Sequence, residues 1–191
     1  SVRGIGLGGA YTAVTNEPSA LFVNPAGLAF MSNRAQVSTM FTAMQLGRQH
    51  NVITYGQTFG ILGVGAGVNN YKAGEFTARN AAGDPLGEYK NQQLNVQGGV
   101  ALHITEAHAS IGVAGKYLLN TLKGPNIRGD GWALDIGTKI QLMDVLSVGL
   151  TVQNLAGEMK WNKEAGTRET IPFTVRGGIA AEFGFNQRTY K

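Results

Sequence analysis

Three histidines, His50, His103 and His108, are the side chains best suited to metal or proton chemistry, and their spacing serves neither. His103 and His108 flank a short turn, His50 lies far away in sequence, and no carboxylate pair stands where it would complete a site. The chain has 191 residues and no cysteine, which excludes a thiol nucleophile, a disulfide scaffold and a Cys-ligated zinc or iron–sulfur centre. Gly4-Ile5-Gly6-Leu7-Gly8-Gly9 satisfies the dinucleotide pattern G-x-G-x-x-G, but three residues leave no room for a preceding strand, and the acid that should follow is absent. Gly115-Lys116 runs into Tyr117 instead of Ser or Thr, so there is no P-loop, and no G-x-S-x-G elbow occurs. The carboxylates are sparse and fall mostly in connecting stretches (Asp84, Glu88, Glu158, Glu164, Glu169), with no acid/base pair among them. The residues predict no catalytic centre, no metal and no cofactor.

Composition narrows the class further. Lys and Arg total 16 against 12 Asp and Glu, a net charge of +4, and only 15% of residues are charged, where a soluble domain carries about 25%. The basic residues are scattered singly, so nucleic acid is not an expected partner. A hydrophobic share of 43% is too high for a disordered chain, while 28 glycines without a three-residue period exclude collagen. No run of 18 apolar residues marks a transmembrane helix. The chain opens Ser1-Val2-Arg3 with no leader, as expected if a signal peptide was removed or lies outside it.

From about residue 35 onward the dominant period is two. Leu62, Val64, Ala66 and Val68 alternate with glycines, and Leu94, Val96, Val100 and Leu102 alternate with Gln93, Asn95, Gln97 and His103. Similar stretches lie around 110–119, 132–140, 146–153 and 171–183, with weaker ones near 35–44 and 50–59. Eight strands of about ten residues are therefore predicted, each with one apolar face. The connectors alternate in length after the first pair: long at 69–91, 120–131 and 155–170, tight at 105–108 and 142–144.

A soluble β-sandwich has no reason to sort its loops by length, whereas an outer-membrane barrel does so. The non-apolar face is also mostly Gly, Ser, Thr, Gln and Asn, too poor in Lys and Glu for a water-facing sheet. An antiparallel transmembrane β-barrel is the better account. Its apolar face would meet lipid, while Gln93, Gln97, Lys116, Asp135, Lys139 and Arg176 would face the lumen. Glycines in strand interiors are tolerated where another backbone lies close, as against a lumenal plug. Tyr71, Tyr89, Tyr117, Trp132, Phe173 and Phe183 near segment ends are candidates for interfacial girdles.

Residues 1–34 stand apart from the strands at 35–191. Pro18–Phe22 reads as one short helical turn beginning at a proline. Asn24-Pro25-Ala26-Gly27 reads as a turn, with Asn24 held extended before Pro25 and Gly27 permitting reversal.

Gly8-Gly9-Ala10-Tyr11-Thr12-Ala13-Val14, followed by Ser19-Ala20-Leu21-Phe22-Val23-Asn24-Pro25-Ala26-Gly27-Leu28-Ala29, resembles the N-terminal hatch of FadL-like outer-membrane barrels. Within that family it is most similar to the PorV/PorQ branch associated with type IX secretion. Val152-Gln153-Asn154-Leu155-Ala156-Gly157 and Ile171-Pro172-Phe173-Thr174-Val175-Arg176-Gly177-Gly178 resemble the same branch. The resemblance implies a barrel of about fourteen strands whose N-terminal segment plugs the lumen, with Asn24, Pro25, Ala26 and Gly27 shaping the plug. Eight strands enclose too little space for such a plug, so the expectation is the first part of a longer barrel. The implied role is a non-enzymatic adaptor in type IX protein secretion, in the outer membrane of a Gram-negative-type bacterium. Its partners would be the lipid bilayer with its lipopolysaccharide and, through the outer loops, translocon subunits or secreted cargo. The alternatives are a FadL-type channel for hydrophobic small molecules and, more remotely, a soluble β-sandwich.

Overall fold

The computed structural model describes residues 11–124, 126–143, 145–162 and 167–181, together with Gly4 and Leu7. Most of the Gly4–Gly9 run, the start of the hatch-like motif, Glu164, Phe183 and the end of the chain lie outside the described residues. The chain is all-β and antiparallel, with ten strands instead of the eight expected. They are β1 (Gln36–Ala43), β2 (Gln49–Phe59), β3 (Leu62–Lys72), β4 (Phe76–Arg79), β5 (Pro85–Ile104), β6 (Ala109–Lys123), β7 (Ile127–Met143), β8 (Leu146–Trp161), β9 (Arg168–Thr170) and β10 (Thr174–Ala181). Eight form one ladder in the order β1-β2-β3-β5-β6-β7-β8-β10, with β4 added to β5 and β9 to β8. Among the described residues the ladder is open, because β1 and β10 each pair on one side only.

The long connectors expected at 69–91, 120–131 and 155–170 are largely strand. β5 runs for 20 residues, β7 for 17 and β8 for 16. The connection from β6 to β7 shrinks to residues 124–126. Backbone pairing does not need apolar side chains: Asn69 pairs with Asn95, Gln92 with Thr121 and Lys90 with Lys123. The ladder therefore continues past the point where apolar alternation stops. Ile171, Pro172 and Phe173, expected within the last strand, precede it, since β10 begins at Thr174.

The register sorts side chains into rows across the sheet. On one face Val64, Val100, Val113, Ile136, Val152 and Val175 are successive cross-strand partners. Val100, Val113 and Val175 are exposed there, as are Ile53, Leu102, Ile111, Leu150 and Ile179 on the same side. On the other face the corresponding row reads Gly63, Ala101, Gly112, Gly137, Thr151 and Arg176. A neighbouring row reads Gly56, Gly65, Gly99, Ala114 and Asp135.

The apolar side chains of the strands thus point away from the core. The core is built by the N-terminal segment, which lies on the glycine-rich face. Tyr11, Ala20, Leu21, Ala26 and Leu28 are almost wholly inaccessible, and the strands add chiefly Ala101, Ala114 and Ala133. The segment contacts or hydrogen-bonds β1, β2, β3 and β5 to β8, and a Cβ at Gly178 of β10 would touch Thr12. A segment resting on a flat sheet would leave its far side wet. Burial of nearly the whole run 11–31 means that the sheet curves round it.

Locally the segment is two 3-10 turns, each entered through a proline, Pro18–Phe22 and Pro25–Phe30. Proline fits there because the first helical N–H groups have no intrahelical partner. Asn24 is extended, as expected before Pro25, with φ −148° and ψ 101°. The expected turn forms, with the Gly27 N–H donating to Asn24 O at 3.0 Å, and Gly27 takes no left-handed conformation in it. The glycine is needed because a Cβ there would collide with the Thr15 side chain.

Candidate functional site

Irregular backbone cannot be buried unless its carbonyls find donors. The inward polar side chains of the sheet supply them. Thr58 of β2 donates its hydroxyl towards the carbonyls of Leu28 (3.3 Å) and Met31 (3.2 Å). Ser110 of β6 donates to Ala26 O (2.8 Å) and Ser147 of β8 to Ala13 O (3.0 Å). Gln153 of β8 reaches Phe22 O (3.0 Å) and Gln97 of β5 reaches Leu21 O (2.9 Å). Lys139 of β7 donates to Thr15 O at 2.8 Å, and its ammonium lies 4.6 Å from the centre of the Phe30 ring. Six side chains on five strands therefore bind the segment by its main chain.

Asn24 fastens the segment from its own side. Its Nδ2 donates to Thr12 O (2.9 Å) and to Thr138 O of β7 (3.0 Å), and its Oδ1 accepts from Ala26 N (3.2 Å). All three bonds are lost in Asn24→Ala, which strands two carbonyls at a residue with 0% exposure. Urea titration of that variant should show a loss of roughly 2–4 kcal/mol. An unchanged midpoint would show that water replaces the side chain.

Above the segment sits a buried charge cluster. The Asp135 side chain is 1% exposed and the Lys116 side chain 9%, and Lys116 Nζ lies 2.7 Å from Asp135 Oδ1. Gln97 Nε2 donates to Asp135 Oδ2 at 3.0 Å. The backbone N–H of Asn154 donates to Oδ1 at 2.8 Å. That last donor is available because β8 bulges: Asn154 (φ 62°) and Ala156 (φ 52°) are left-handed, and the β7–β8 register shifts there. The extra residue turns an N–H that a regular ladder would consume towards Asp135. Asn154 Nδ2 also donates to Pro172 O at 3.1 Å, tying the bulge to the approach to β10.

Of the six residues expected on the inner side, Gln97, Lys116, Asp135 and Lys139 meet the segment or the cluster above it. Gln93 is on the same face but higher and exposed, and Arg176 stands exposed on β10 opposite Thr151, apart from the cluster. Thr58, Ser110, Ser147 and Gln153 are functional residues that apolar counting passes over. Their signal is alternation itself, since each shares its strand's face with glycine or alanine. Tyr117 and Trp132 are outward cross-strand partners, as a girdle requires, whereas Tyr71 turns inward and meets His50 at 6.2 Å between ring centres. Tyr89 stacks on Phe76 of β4 instead. The histidines do not converge: His50 bonds Asn69 and His103 packs against Phe30. Among the described residues no group of His, Asp and Glu could hold a metal ion.

Higher on the inner wall lies a cavity of about 440 Å³ lined by His50, Asn69, Tyr71, Gln93, Asn95 and Leu118, among others. A second, of about 320 Å³, shares Asn120 with it and reaches Trp161. No family model, curated protein or solved structure matches the chain.

Proposed function

We propose that this chain is a β-barrel protein of a bacterial outer membrane, with residues 11–31 as a plug, acting as a non-enzymatic PorV-like adaptor in protein secretion. One observation carries the membrane half of this reading: the sheet is inside out for water. Its β-branched row from Val64 to Val175 faces away from the core, and its Thr, Ser, Gln, Asp and Lys face a buried irregular segment. A soluble monomer rarely exposes a contiguous apolar band of that extent, whereas a lipid-facing wall requires it. In lipid, irregular backbone is tolerated where it is enclosed in protein, and the plug's carbonyls are held in that way.

The adaptor half rests on the resemblance, and the residues that carry it are structurally purposeful. Asn24-Pro25-Ala26 pins the plug, and Gln153-Asn154 holds both plug and Asp135. Strands of 16 to 20 residues overreach the 9–11 that cross a bilayer. Their upper ends would form a rigid platform for protein contacts. A channel for hydrophobic small molecules is the second reading: Leu118 and Met159 line the cavity above the plug, but the carboxamides of Asn69, Gln93, Asn95 and Asn120 share that lining.

Val113→Arg tests the membrane reading. Val113 is 41% exposed in the middle of the outward row. If that row meets lipid, folding into phosphatidylcholine vesicles should weaken by about 2–4 kcal/mol near the midplane. At a water-facing position the same change should stay within about 0.5 kcal/mol and leave a detergent-free soluble protein, which would sink the barrel.

A further inference from the structure

We propose that the inner wall above the N-terminal segment is a binding site for a neutral oligosaccharide. The register lays out one row of side chains across this wall: His50, Tyr71, Gln93, Asn120, Gly129 and Trp161 are successive cross-strand partners. Aromatic rings stand at the two ends, with two carboxamides between them. Trp161 lies over Gly129, where a Cβ would meet the indole Cε3 at 2.6 Å, so the glycine makes the seat for the ring. The row below contributes Asn69 and Asn95, which are direct partners. Tyr71 and Trp161 are four strand spacings apart, about 19 Å along the curved wall. That is the reach of a short oligosaccharide and too long for one sugar ring.

The chemistry selects a neutral ligand bearing both donors and acceptors. A carboxamide can donate and accept at once, which matches neighbouring hydroxyls on a sugar. Aromatic rings supply flat apolar faces with a polar edge. Among the described residues Asn91 Oδ1 and Asn95 Oδ1 are buried without a hydrogen-bond partner, which leaves acceptors beside the two cavities. No Lys or Arg lines either cavity, so an anion has no counter-charge, and the carboxylate that lines the second, Glu169, already accepts the Trp161 indole N–H at 2.9 Å. An extended peptide is disfavoured for a different reason. From β3 to β8 the wall is continuous sheet whose N–H and C=O groups pair with neighbouring strands, so a peptide lying across it finds no edge to extend.

The chain reports on this site with its own fluorescence, because it contains two tryptophans and the other, Trp132, is outward. In full-length protein carrying Trp132→Phe, maltotriose, cellotriose and chitotriose are titrated against Trp161 emission. At least one should give a saturable shift. Gln93→Ala with Asn120→Ala should weaken it about tenfold through two lost hydrogen bonds, and Tyr71→Leu should weaken it separately. Gln93 is exposed and Asn120 and Tyr71 are partly so, so each variant should retain its sheet by circular dichroism. No saturable shift with any of the three sugars overturns the proposal. So does a shift indifferent to these substitutions, or one produced only by an uncharged Gly/Ser/Asn hexapeptide. The outcome is independent of the membrane reading, which Val113→Arg tests on the opposite face.

Discussion

Asp135→Ala is expected to destabilise the fold by about 3–5 kcal/mol, the range for removing one partner of a buried ion pair. The loss comes mainly from what remains. Lys116, with 9% of its side chain exposed, is left charged against a wall of glycine, alanine and the Gln97 amide. The Asn154 N–H and one hydrogen of Gln97 lose their acceptor as well. The double variant Lys116→Met/Asp135→Leu separates these contributions. Replacing both charges by apolar groups of similar volume is often neutral, so most of the loss should be recovered. A residue of about 1–2 kcal/mol should persist, because the bulge still presents the Asn154 N–H to a pocket that no longer accepts it. Equilibrium urea unfolding of both variants reads this directly. If the double variant is no better than Asp135→Ala, the pair is not an isolated electrostatic unit and its weight lies in shape.

The same cluster shows what could be read from the residues alone. Alternation put Gln97, Lys116, Asp135 and Lys139 on one side of their strands, and the period needs nothing beyond side-chain direction. Their common partner was not legible, because a 3-10 segment announces neither where its carbonyls point nor which strand meets them. Lys139 bonds Thr15 O across 124 positions of sequence, and Ser147 bonds Ala13 O across 134. The bulge at Asn154 was equally hidden. Nothing in Val-Gln-Asn-Leu-Ala demands two left-handed residues; they arise because the β7–β8 register shifts by two between Ile136 and Trp132.

The eight strands of the main ladder were legible and their lengths were not. Apolar alternation identifies only the part of a strand with one greasy side. It therefore stops near Val68, Leu94 and Leu119, although pairing continues to Lys72, back to Pro85 and on to Lys123. The polar extensions of the strands have no contrast between faces and read as loop. The short strands β4 and β9 escaped for the same reason, being mostly exposed on both sides. The reading of Asn24–Gly27 found the turn, which the Gly27 N–H closes on Asn24 O, but not why it ends in glycine: close packing of Thr15 is the reason.

Close packing also predicts a large effect from one added side chain. Gly137→Val would place its Cβ against the Asn24 side chain and Pro25, at the point where the segment is pinned to β7. Neither can yield without breaking the Asn24 bonds to Thr12 O and Thr138 O. Overpacking of about 1–3 kcal/mol then adds to lost hydrogen bonds, a total of about 3 kcal/mol or more. Gly115→Val is the matched control. It lies on the outward face of β6, where a Cβ would come no closer than 3.8 Å to Leu134. There valine should be neutral or slightly stabilising, because β-branched residues suit a strand better than glycine. The chain has no cysteine, so Ser19→Cys, at 4% exposure, gives a single thiol that reports on the segment alone. Maleimide should label it slowly in the parent and with Gly115→Val, and rapidly with Gly137→Val while the sheet stays intact by circular dichroism. Rapid labelling with an intact sheet means the segment lifts as a unit and the strands hold without it. Rapid labelling together with loss of sheet means instead that the strands need Leu21 and Leu28 of the segment as their core, and overturns the prediction.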